Sequence, residues 1–146
     1  MGTSYNPKIV TENLVFCVDA ANIRSYPKTG TTLTDLKGGN NGTLTNMDAA
    51  NFSSDNAGSL SFDGSNEYVV YSNCPQFDFS DANFTACCWF RSTQNSSYSG
   101  ICGKVQLSNG TGGWAFEFHS AKVTSWIGNV LLSSPSSYND GNWHFA

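Results

Sequence analysis

Charge is what this sequence has least of. Only 12% of its 146 residues are charged, and the seven Lys and Arg are scattered from Lys8 to Lys122 without a cluster. Binding to nucleic acid needs a basic patch that displaces counterions from phosphates. A chain of net charge −4 without such a patch is not expected to bind it. Long hydrophobic runs are missing too. No stretch approaches the roughly 20 apolar residues of a membrane span, so no span is expected. The opening MGTSYNPKIVTEN has neither the charged start nor the apolar core of a secretory leader. Asn6 stands where a myristoylation signal wants Ser or Thr. Folding in a cytoplasm is the expectation.

A full set of disulfides is excluded as well. The five cysteines, Cys17, Cys74, Cys87, Cys88 and Cys102, are odd in number and include no CxxC pair. They read as small buried hydrophobes in a reducing compartment, and the ligand spacing of a structural zinc site is absent. Cys87 and Cys88 are adjacent, so on a strand they point to opposite faces. Helix formers are too sparse for a helical bundle, and no apolar pattern of period 3.6 emerges.

What remains is aromatic and turn-rich. Aromatic residues make up 14%, too many for a disordered tail, and 14 glycines separate short apolar runs among Ser, Thr and Asn. This pattern predicts one all-β domain over residues 1–146. Strands are expected at Leu14–Val18, at Thr43–Leu44, and in a hairpin at 59–72 whose turn is Asp63–Asn66. FTACCWFR (84–91) is apolar on both faces and reads as the central strand, with Trp89 in the core. Further strands are expected at 101–106, 114–120 and 122–129, the last two joined through Ser120-Ala121, and at Trp143–Ala146. A turn is expected at 107–113, and LLSSPSSYNDGN reads as a link.

Four motifs in order carry a resemblance. LVFCVDAANIRSYP, the F-D-G-x-x-x-Y of Phe62, Asp63, Gly64 and Tyr68, the F-T-x-x-x-W of Phe84, Thr85 and Trp89, and the D-G-x-W-H of Asp140, Gly141, Trp143 and His144 look like laminin-G-like, concanavalin A-like lectin/glucanase domains. The opening NPKIVTENLVFCVDAANIRSYP is similar to such domains in virion proteins of tailed bacteriophages of marine and cyanobacterial hosts. The resemblance implies an antiparallel β-sandwich of jelly-roll type that lacks its C-terminal strands within 1–146. Chain beyond this segment, a strand donated by a neighbouring subunit, or closure in a reduced form would complete it.

The resemblance also sets the functional expectation. This is a non-enzymatic structural protein on the virion surface, assembled in the bacterial cytoplasm. It would decorate the capsid or form part of a tail or head fibre, through contacts with other virion subunits or a second copy. A lectin domain binding host-surface glycan is the alternative, and a glycoside hydrolase stands last. The related glucanases use an E-x-D-x-x-E strand, and none of Glu12, Glu67 and Glu117 lies in that pattern. Glu117 and His119 share a strand face, but ordinary exposed polar residues account for them, so no catalytic residue is assigned. Sugars stack on aromatic rings, and Tyr98, Tyr138, Trp114 and Trp126 are the candidate platform. Core packing competes for Trp114 and Trp126, whereas Tyr98 and Tyr138 lie in Ser/Asn-rich loops. No cofactor is expected. Calcium, bound by several such domains, has oxygen donors at Asp19, Asn22, Asp35, Asp63 and Asn66, but turn chemistry explains these residues equally and no ligand is assigned.

Overall fold

The computed structural model describes residues 10–72, 74–79, 82–95, 98–105, 113–128 and 130–146. The turn expected at 107–113 lies outside them except for Gly113, as does the opening stretch 1–9. The described residues contain no α-helix, only short 3-10 turns at Ala49–Asn51, Asp55–Ala57 and Pro75–Phe77. Every strand pairing is antiparallel. The protein is therefore all-β, and it divides into two compact units, one up to Cys74 and one from Pro75 on.

The first unit contains β1 (Thr32–Leu33), β2 (Gly42–Thr45), β3 (Phe52–Ser53), β4 (Ser59–Leu60) and β5 (Tyr68–Tyr71). They form a three-stranded sheet in the order β1-β2-β5 and a small β3-β4 pair. Period-2 alternation turns Leu33 and Leu44 inward onto Tyr26 and Met47, with Val18, Phe52, Leu60, Val69 and Tyr71 packed around them. Two expectations fail here. Leu14–Val18 forms no strand, because the partners of Cys17 are loop groups. The Cys17 amide donates to the buried Asp35 carboxylate at 3.0 Å, and the Leu36 amide donates to the Cys17 carbonyl. The hairpin at 59–72 is also absent. Its first arm pairs with Phe52–Ser53 and its second with β2. The turn between them nevertheless forms by itself, with the amides of Ser65 and Asn66 donating to Asp63 Oδ1. An Asx turn closes locally and does not require its flanks to pair.

The second unit contains β6 (Trp89–Arg91), β7 (Ser99–Val105), β8 (Gly113–His119), β9 (Lys122–Ile127), β10 (Val130–Ser137) and β11 (Trp143–Phe145). A four-stranded sheet in the order β10-β9-β8-β7 packs through Phe118, Val123, Phe116 and Ile101 onto Phe90 and Cys88 beside the β11-β6 pair. β8 and β9 are joined as expected through Ser120-Ala121, whose φ angles of 51° and 69° suit a mirror-image two-residue turn.

Two further readings are corrected in this unit. The segment read as a link after β9 is a strand, β10. It is an exposed edge, so it needed only one neighbour and carries no alternating apolar signal. The strand expected over 84–91 is assigned only at Trp89–Arg91, extended by reciprocal bonds between Cys88 and Ala146. Only one of its faces is buried. Phe90 is 8% exposed, while Trp89 is 59% exposed and lies outside the core with Phe145.

Candidate functional site

The strand register builds a site on the outer face of the four-stranded sheet. Directly paired residues share a face. One row across the sheet therefore reads Leu131, Trp126, Ala115 and Gly103, and the next reads Ser133, Thr124, Glu117 and Gly100. In the first row large side chains stand over β10 and β9 and small ones over β8 and β7, whereas in the second Glu117 is the large side chain, beside Gly100. A Cβ on Gly103 would sit 2.9 Å from the Ala115 Cα, so the two backbones meet there with no side chain between them. A Cβ on Gly100 would meet nothing within 4 Å, so the space beside Glu117 is open.

Tyr98 closes the other end. Its ring stacks on His119 with centroids 4.5 Å apart and planes 5° from parallel. Tyr98, Ala115, Glu117, Trp126 and Leu131 enclose an open depression of about 350 Å³. A second, of about 310 Å³, continues over Gly100, Ile101, Cys102 and Gly103. Both are open to solvent rather than enclosed.

Of the four aromatic candidates, the structure brings Tyr98 and Trp126 together and removes the other two. Trp114 faces the opposite side of β8. Its Nε1 donates to the Phe77 carbonyl at 3.1 Å, and its ring packs against Phe79 and Phe84. Tyr138 packs against the Phe90–Phe118 core and meets the His144 ring edge-on. Parity explains the first miss: along one strand Trp114 and Glu117 have opposite parity, and only one parity faces the depression. Sequence reading also missed the floor. Ala115, Gly100 and Gly103 form it only through cross-strand register, although small residues scattered among aromatic ones were a visible signal.

Glu117 and His119 do share a face, as expected, but His119 is engaged by Tyr98. The possible calcium donors are separated in use. Asp35 holds backbone amides of Cys17 and Lys37, Asp19 that of Ala21, and Asn22 that of Arg24. The Ser65 amide holds the Asp63 carboxyl below the usual carboxylate range. Among the described residues, no group of three or more His, Cys, Asp or Glu gathers as a metal site. Cys87, Cys88 and Cys102 carry free thiols, and burial pushes the Cys88 thiol up to about 12. No described helix is long and apolar enough to cross a membrane. No family model, curated protein or solved structure matches the chain.

Proposed function

We propose that this chain is a non-enzymatic binding module of jelly-roll, concanavalin A-like type, displayed on the surface of a tailed-phage virion assembled in the bacterial cytoplasm. Its outer four-stranded sheet face takes host-surface glycan. One observation carries this reading: Trp126 and Tyr98 flank a depression floored by Ala115 and glycine backbone. A sugar ring laid on Trp126 meets an aromatic face on one side and a polar edge at Glu117 on the other. Sugar sites are typically built from apolar walls and a few placed polar groups. Glu117 is the only carboxylate among the described lining residues, whereas glycoside hydrolysis ordinarily uses two. That favours binding over turnover. The test is titration of bacterial-surface oligosaccharides into the wild type and Trp126→Ala. Binding lost in the variant is expected, and no binding by the wild type to any sugar overturns the proposal.

A second reading, capsid or fibre contact through other virion subunits or a second copy, is favoured by a different face. On the outer side of β6 and β11, Trp89 and Phe145 lie exposed with ring centroids 5.4 Å apart, and Arg91 lies over the Trp143 ring. Aromatic residues and Arg are enriched at protein interfaces.

A further inference from the structure

We propose that the depression between Tyr98 and Trp126 selects a sugar carrying a free amine, with Glu117 as the group that recognises the ammonium. The inference rests on the glycan reading and names the class of ligand. Glu117 is half-buried, and it is the only acidic or basic side chain among the described residues lining the depression. It makes no ion pair among the described residues. The nearest basic side chain on the same face by register is Lys122, opposite His119 and one row beyond Glu117.

Two attractions converge on a cation there. The carboxylate supplies a full negative charge, and the indole of Trp126 lining the depression supplies an aromatic quadrupole. An ammonium offers three donors and no acceptor, which suits a carboxylate that only accepts. The same surroundings repel uronic and sulfated sugars. N-acetylation removes the charge and adds bulk. Gly100, paired with Glu117, leaves the approach from β7 unobstructed. A lysine side chain carries the same cation. A sugar fits better, because the floor of Gly103 and Ala115 backbone is low beside the wall of Trp126 and admits a ring rather than a single stem.

The experiment titrates the full chain with short glucosamine oligomers, their N-acetylated counterparts, neutral glucose oligomers and oligolysine. It runs at about 150 mM salt, where long-range surface attraction is screened. The glucosamine oligomer is expected to bind about tenfold more tightly than the acetylated one, the scale of one charge-assisted hydrogen bond. Glu117→Gln should erase that difference, while Glu12→Gln, an exposed carboxylate of the other unit, should leave it. Gly100→Leu, whose Cβ would meet nothing within 4 Å, should weaken both sugars. Equal affinity for all three sugars, abolished by Trp126→Ala, overturns amine selection and leaves the glycan reading intact. A preference that survives Glu117→Gln overturns the role of Glu117. Oligolysine binding more tightly than the glucosamine oligomer overturns the choice of a sugar. No binding by any sugar overturns both proposals.

Discussion

Asp140 Oδ1 lies 2.8 Å from Nε2 of His144, four residues further on, and the same carboxylate accepts from the Asn142 amide. This contact gives the D-G-x-W-H pattern a physical reading. Asp140 closes the turn through Asn142, and Gly141 takes the positive φ of 77° that the turn requires. His144, paired with Phe90, then ties the emerging β11 back to the turn.

The pair makes the second unit acid-sensitive. The hydrogen bond from His144, followed by those from Asn142, holds the Asp140 carboxyl well below the usual range. A carboxyl depressed in the folded state contributes stability above its unfolded value, about 3.9, and loses it as pH falls through the folded value. Asp140→Asn should therefore melt below the wild type at neutral pH. The gap should close as the pH falls below about 4. A gap that does not change across thermal melts from pH 7 to pH 2 would contradict this account.

Neighbouring aromatic residues on β6 should behave in opposite ways. Phe90→Ala removes a buried ring that stacks edge-on with Phe118 at 5.1 Å, and should cost about 3–5 kcal/mol. Trp89→Ala removes an exposed ring whose aromatic contact is Phe145, and should cost about 1 kcal/mol. Urea melts of the two variants decide, and similar losses would mean that the outer face is not solvated.

Gly58 should be intolerant and Gly100 tolerant. Gly58 has φ +152°, and a Cβ there would fall 2.5 Å from the Ala21 Cα. Strain and overpacking of that kind each cost about 1–3 kcal/mol, so Gly58→Ala should lower the melting temperature markedly. Gly100→Ala meets open space and should stay within about 0.5 kcal/mol of the wild type.

Asp35→Ala should loosen the segment around Cys17. Asp35 is 3% exposed, and its carboxylate accepts from the Cys17 and Lys37 amides at 3.0 Å each. Leaving a buried amide without a partner costs about 1–3 kcal/mol. Hydrogen exchange at the Cys17 amide should accelerate in the variant, and unchanged protection would refute the role given to Asp35.

The sequence carried the strands of the second unit well wherever one face is buried. Trp114, Phe116 and Phe118 alternate cleanly with Ala115, Glu117 and His119, and β8 lies where that alternation is. It misled where apolar residues occupy both parities. Phe84 to Phe90 looks doubly buried because Cys87 and Trp89 are apolar, yet both are exposed. Long-range partners were not legible. Nothing local announces that Asp35 takes the Cys17 amide, or that β5 prefers β2 to the arm beside it. The candidate site was half legible for the same reason. Its aromatic members stand out in the sequence, while its floor exists only once Gly100 faces Glu117 and Gly103 faces Ala115.

The edge strand β10 has one last implication. Val130, Leu131 and Leu132 are exposed, and no charged residue guards Val130–Ser137. Such a rim would ordinarily template stacking of copy upon copy. Pro135 offers no amide, and the ladder slips between Ser133 and Ser137. A visiting strand therefore finds a foothold only four residues long, Val130 to Ser133, before the rim goes out of step, too little to seed a fibre.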